Sequence, residues 1–204
     1  DGDIIGVSWG TTIYNMALNL KHKALKGVQI VQLKGGISHS QSNTYAYEVV
    51  ELFSEAFSTV GRYLPLPVMF DTAQIKELIE KDKHIKKILD LGRQANIAVF
   101  TVGTVKNDAL LFRLGYIDKK DRDIIQNRAV GDICSRFIDA QGNICDKELD
   151  ERTVGIKLED LKEKEKRVLV AGSKRKISAI KATLVGEIAN ILITDQYTAQ
   201  ELLK

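Results

Sequence analysis

Apolar positions along the chain fall into short β-branched runs separated by stretches with helical spacing. Residues 3–8 (DIIGVS) predict a short buried strand. Over 11–21, Ile13, Met16, Ala17 and Leu20 share one face and predict a helix. The run VQIVQL at 28–33 predicts a second strand, and Asn43 suits the N-cap of a helix carrying Ala46, Val49, Val50, Phe53, Ala56, Phe57 and Val60. Residues 63–68 hold both prolines and read as an extended edge or connector, because proline cannot donate to a central ladder. Helices are expected over 74–81 and 83–94, with Ile75, Leu78, Ile79, Ile85, Ile88 and Leu89 inward. The clearest buried strand is NIAVFTV at 96–102. Helical segments follow at 107–114 and 119–128, then a strand at 131–139 (GDICSRFID) and a turn at Gln141-Gly142-Asn143. Strands at 167–171 and 190–194 flank a helix with Ile177, Ile180 and Leu184 inward, and a terminal helix closes the chain.

Strands alternating with helices imply an α/β fold with a mostly parallel sheet and helices on both faces. The 204 residues are 44% hydrophobic, contain no Gly/Ser-rich or Pro-rich linker, and read as one domain over 1–204. The net charge is only +3, and the Lys162–Arg167 run alternates in sign, so it reads as a solvated face. No basic stripe or DNA-reading element is evident. Cys134 and Cys145 lack metal-binding spacing and the three histidines lie apart from them, so no metal or other cofactor is expected. Two free thiols without a signal peptide fit the cytoplasm. No apolar run approaches the ~20 residues of a membrane helix. The chain starts abruptly at Asp1-Gly2-Asp3, as a fragment would.

Four turns carry candidate chemistry. After the first strand, Gly10-Thr11-Thr12 opens a helix. Free N–H groups, a glycine and hydroxyls there make either a phosphate cradle or a plain helix start. Lys34 precedes Gly35-Gly36 at the end of the second strand, where ligands of open parallel sheets collect. Desolvated, such a lysine can attack an aldehyde; solvated, it is an ordinary loop residue. The turn Gly172–Lys176 places Lys174, Arg175 and Lys176 at a helix start, where cations oppose the dipole. Asp132 stands at a strand where it can accept from sugar hydroxyls. Gly103 follows another strand and can expose backbone N–H groups, while Gln41 and Asn43 offer amides, Asn43 also being the cap. Several of these turns would converge on one sheet edge.

The segments GVSWGTT (6–12), VQLKGGISHSQSNTY (31–45), LPLPV (64–68), FTVGTV (100–105), VGDICSRFID (130–139), VAGSKRKISAI (170–180) and ANILITDQYTA (189–199) resemble the effector domains of the SorC family of bacterial sugar-responsive repressors. The resemblance runs the whole length and is strongest to the branch that responds to deoxyribose 5-phosphate. It implies a Rossmann-like fold akin to sugar-phosphate isomerases and a homo-oligomer. It also implies an N-terminal helix-turn-helix domain that reads operator DNA and, with the start of the effector domain, lies outside this sequence. By the same resemblance the phosphate falls on Gly10, Thr11 and Thr12, and Lys34 can form a Schiff base with the open-chain aldehyde. Lys176 is the phosphate-pairing cation of the third turn, where Ser173 stands in place of the usual glycine. Gln41 and Asn43 fall on the family's ligand loop. The rival reading is an enzyme, a pentose-phosphate isomerase or Schiff-base aldolase, with Asp132 as the one good general base.

Overall fold

A computed structural model describes residues 1–204. In chain order its elements are β1 (Ile4–Val7), α1 (Thr11–Ala17), β2 (Gln29–Gln32), α2 (Ala46–Ala56), β3 (Gly61–Arg62), α3 (Ala73–Glu80), α4 (Lys83–Gln94), β4 (Ile97–Phe100), β5 (Val102–Gly103), α5 (Leu110–Arg113) and α6 (Lys119–Arg128). There follow β6 (Gly131–Ile133), β7 (Arg136–Ile138), α7 (Lys147–Arg152), α8 (Leu158–Lys162), β8 (Lys166–Val170), a 3₁₀ turn (Lys174–Lys176), α9 (Ile177–Val185), β9 (Ile191–Ile193) and α10 (Gln196–Leu202).

Six strands form one parallel sheet in the order β3-β2-β1-β4-β8-β9. The chain starts at the centre, winds out to β3, then returns and winds the other way from β4. The strand order therefore reverses between β1 and β4, and a crevice opens at their carboxyl ends. Alternation along each strand splits the core in two. Ile5, Val7, Val99 and Val170 pack against Ile13 of α1 and Val49, Val50 and Phe53 of α2. Ala98, Phe100, Leu169 and Ala171 pack against Ala179, Ile180 and Ala182 of α9. No helix is long and apolar enough to cross a membrane, and both cysteines are free.

A second sheet, antiparallel β5-β6-β7, was not foreseen. It corrects two expected strands. The run at 96–102 breaks at Thr101: Ile97–Phe100 stays in the parallel sheet, and Val102 pairs with Ile133 instead. The run at 131–139 is a tight hairpin, because Cys134 and Ser135 both take left-handed backbone angles and fold β7 back on β6. Residues 63–68 form a connector after edge strand β3, as expected.

Other details also differ. The first helix ends at Ala17 rather than Lys21. Ile75 and Leu78 of α3 face solvent, Leu78 at 69% exposure, because α3 packs through Ile79 and the Lys76 stem, whose ammonium pairs with Glu80 at 3.0 Å. Leu184 likewise lies on the outer side of α9. Within the charged run, Lys164 is buried and donates to the Arg93 carbonyl. Asn43 is not the cap of α2. That position belongs to Tyr45 at φ 59°, whose ring stacks on Tyr14 at 4.3 Å, and Asn43 Oδ1, two residues earlier, accepts from the Tyr45 N–H at 2.8 Å. Helices α7 and α8 had no counterpart in the sequence reading.

Candidate functional site

A cleft of about 500 Å³ opens at the carboxyl ends of β1, β4 and β8. Gly10, Thr11, Thr12, Lys34, Gly103, Asp132 and Lys176 all line it, so seven of the nine residues singled out by sequence meet in one place. Gln41 and Asn43 do not. Asn43 borders a separate cavity of about 340 Å³ with Tyr47 and Tyr63, and Gln41 is exposed on the same loop. That loop is tied to the segment around α5 by contacts remote in sequence: Ser40 Oγ donates to the Arg113 carbonyl at 2.9 Å, and the Tyr116 hydroxyl donates to the Ile37 carbonyl.

At the first turn Gly10 adopts φ 127°, a conformation costly for any other residue. No side chain caps α1 and no acid sits in its first turn, so its leading N–H groups stay available to an anion. Lys176 reaches over from the β8 turn: its Nζ lies 3.2 Å from Thr12 Oγ1 and 3.5 Å from Thr101 Oγ1. Ser173 keeps a left-handed backbone at φ 95°, the geometry expected of the glycine it replaces. Thr198 Oγ1 and Asp195 Oδ2 accept from its N–H at 2.9 and 3.3 Å and fix the turn. Ser173 N–H is thereby spent on protein partners, and Lys176 is the residue of this turn whose side chain reaches Thr12 and Thr101.

Lys34 leaves the sheet just after β2 and is 5% exposed. Its Nζ donates to Ser135 Oγ at 3.1 Å and stands 3.6 Å from the centre of the Trp9 ring. Burial pulls its pKa below the ordinary lysine value; Asp132 and Cys134 oppose that pull without cancelling it. Burial pushes the Asp132 carboxyl up, against Lys34, the Ser135 N–H and Lys176. Lys176 is also lowered by burial. Burial thus disfavours the charged form of each of these groups, and a lysine amine that has lost its proton is a nucleophile. Gly103 pairs with Asp132 across β5 and β6, and a Cβ there would come within 1.8 Å of Asp132 Oδ1.

The sequence reading missed Ser135, Trp9, Thr101, Asp108 and Arg113 as parts of the site. Trp9 and Thr101 adjoin the Gly10 turn and the strand before Gly103. Ser135 carries no signal in the sequence, because residues 131–139 alternate like a single strand. At the mouth, Arg175 pairs with Asp108. Lys34, Arg113, Arg175 and Lys176 against Asp108 and Asp132 leave the cleft with an excess of positive charge, which suits an anionic ligand.

All 204 residues match the family described as "Putative sugar-binding domain". The chain is 58% identical over 203 residues to the deoxyribonucleoside regulator of Bacillus subtilis, covering 100% of this chain and 65% of that protein. It is 28% identical to the sorbitol operon regulator of Klebsiella pneumoniae, again covering 65% of the relative. The chain therefore spans about two thirds of the length of these curated relatives. The full-length structure of that regulator, SorC, superposes with a TM-score of 0.90 at 26% identity, covering 100% of this chain and 67% of that one. A transcriptional regulator from Streptococcus pneumoniae superposes at 0.92 with 27% identity, covering 100% and 78%. These relatives are named as regulators. By sequence and by fold, this chain belongs to the sugar-binding domain family of SorC-type transcriptional regulators.

Proposed function

We propose that residues 1–204 act as one effector-binding unit for a short phosphorylated aldehyde, with deoxyribose 5-phosphate as the leading ligand. The phosphate rests on the Gly10-Thr11-Thr12 turn and pairs with Lys176, which already donates to Thr12 and neighbours Thr101. The carbonyl end reaches Lys34. There the neutral amine adds to the aldehyde carbon, the resulting hydroxyl takes up one proton from solvent and leaves as water, and an iminium remains on Nζ. Asp132 and the Gly103 backbone face the ligand's hydroxyls between these two ends.

The observation that carries this reading is the buried Lys34 amine, lowered in pKa and open to a cationic cleft that also contains an uncapped helix start. The kinship to the Bacillus subtilis deoxyribonucleoside regulator supports the choice of ligand. In a longer chain carrying a helix-turn-helix domain, as a homo-oligomer in the cytoplasm, ligand binding would release operator DNA and relieve repression. Such release requires the ligand to bind the DNA-free state more tightly than the DNA-bound one. The test is reduction with borohydride in the presence of deoxyribose 5-phosphate, followed by intact mass and peptide mapping. A reduced adduct on Lys34 is expected. An unmodified mass rejects the covalent step, and no protection by any sugar phosphate in a thermal-shift screen rejects the ligand class.

A further inference from the structure

The tip of the β6–β7 hairpin is a two-residue turn in which Cys134 has φ 50° and Ser135 φ 69°. Turns of this kind ordinarily use glycine or asparagine, since a Cβ is disfavoured in the left-handed region. Here neither residue is glycine or asparagine, and both are buried, Ser135 completely. The unfavourable conformation has a local consequence. Ser135 Oγ accepts from Lys34 Nζ at 3.1 Å, while the Ser135 N–H donates to Asp132 Oδ2 at 3.1 Å. One residue therefore holds both the amine and the carboxylate of the cleft. The Trp9 ring face also lies against Nζ, and the Trp9 ring is itself pinned by Nε1 donating to the Gly35 carbonyl at 2.8 Å.

A lysine has four rotatable bonds and no rigid head group. Burial alone lowers its pKa but does not aim its lone pair. We propose that Ser135 is a positioning residue that aims Lys34 at the ligand carbonyl, and that the left-handed Cys134-Ser135 turn is retained for this purpose. The inference rests on the Schiff-base reading of Lys34. Glycine at this position would fit the backbone better and lose the hydroxyl, so fold stability and site geometry favour different residues.

Two variants separate those terms. Ser135→Ala keeps the backbone strain and removes the hydroxyl; Ser135→Gly removes both. Adduct formation on Lys34 is followed with deoxyribose 5-phosphate and borohydride across neutral to alkaline pH. Binding of inorganic phosphate is measured by calorimetry, and unfolding by thermal melt. Both variants should bind phosphate as wild type does yet form the adduct roughly 10- to 100-fold more slowly, the size of effect a displaced reacting group produces. Ser135→Gly should melt a few degrees above Ser135→Ala. Adduct formation at the wild-type rate in Ser135→Ala overturns the proposal. So does a parallel loss of phosphate binding and adduct, which marks Ser135 as a structural residue only. Wild-type protein that forms no adduct overturns the Schiff-base reading and this inference with it, a result distinct from trapping that is indifferent to Ser135.

Discussion

Lys34 Nζ stands 3.6 Å from the centre of the Trp9 ring, and both side chains are buried at the edge of the cleft. Trp9 is the only tryptophan in the chain, so its emission reports on one place. A ligand that forms an iminium on Lys34 Nζ replaces the group against that ring and changes its solvation. Titration with deoxyribose 5-phosphate should give a saturable change in tryptophan emission, and Lys34→Met should reduce it to the part caused by phosphate binding alone. Unchanged emission at a ligand concentration that stabilises the protein thermally would place the ligand elsewhere.

Gly103 and Asp132 form the next test. A Cβ at residue 103 would fall 1.8 Å from Asp132 Oδ1 and could be accommodated only by moving the carboxylate. Asp132 is held by the Ser135 N–H and lies in the same buried pocket as Lys34, so it has little room to retreat. Gly103→Ala should cost roughly 1–3 kcal/mol, the usual range for overpacking, and weaken ligand binding roughly 10-fold or more. Chemical denaturation and calorimetry measure the two effects. Wild-type affinity in the variant would show that Asp132 does not face the ligand.

Much of this arrangement was legible in the sequence, because it depends on local pattern. The β-branched runs gave the parallel strands, and the turns that follow them held the chemistry. Rossmann-type winding then brought Gly10, Lys34 and Lys176 together without further information. The parts that escaped depend on contacts distant along the chain. Residues 131–139 alternate like one strand, and nothing in Cys134-Ser135 announces a turn, since those residues are poor in left-handed geometry. Gln41 and Asn43 lie outside the cleft, on a loop whose place depends on contacts with Arg113 and Tyr116, some seventy residues on. Leu78 looks like a core residue by spacing, yet α3 uses its narrow inner side for Ile79 and the Lys76–Glu80 pair.

The lowered pKa of Lys34 has a consequence for stability. Its folded-state value lies below 10.5, so the unfolded chain binds the proton more readily and stability rises with pH across the window between the folded value and 10.5. Below that window the buried ammonium costs free energy that a neutral side chain avoids. Lys34→Met should therefore be more stable than wild type near neutrality, and the difference should shrink as pH rises toward 10.5. Urea titrations at several pH values check the sign. A gap that widens with pH would contradict the burial argument.

At the cleft mouth, Arg175 is engaged by Asp108, and both are substantially exposed. An exposed pair of this kind contributes little to stability, because solvent screens it. Its larger effect is on the ligand, since Asp108 competes with any phosphate for the guanidinium. Asp108→Asn should leave the unfolding midpoint nearly unchanged and tighten sugar-phosphate binding a few-fold, with the gain disappearing at high salt. Weaker binding in this variant would mean that Asp108 itself contacts the ligand.

Arg136 ties the stability of the fold to the position of Lys34. It is 2% exposed, and its guanidinium donates to the carbonyls of Ile156 at 2.7 Å, Asp150 at 3.0 Å, Thr153 at 3.4 Å and Gly155 at 3.0 Å, and to Asp150 Oδ1 at 2.6 Å. The segment it gathers runs alongside Lys34. Gly155 bridges to Lys34 itself, the Ile156 N–H donates to the Leu33 carbonyl at 2.8 Å, and the Gly35 N–H donates to the Val154 carbonyl at 3.3 Å. Removing the guanidinium strands several buried acceptors at once, including a carboxylate that loses its ion pair. Arg136→Ala should cost about 3–5 kcal/mol, the range for breaking a buried pair, and lysine should rescue little because one ammonium cannot reproduce the planar fork. Denaturant midpoints measure the loss, and borohydride trapping of the folded fraction measures the site. A loss below about 1 kcal/mol would show that water replaces Arg136 at these carbonyls. An adduct rate unaffected in the folded fraction would show that the segment at 150–156 does not set the path of Lys34.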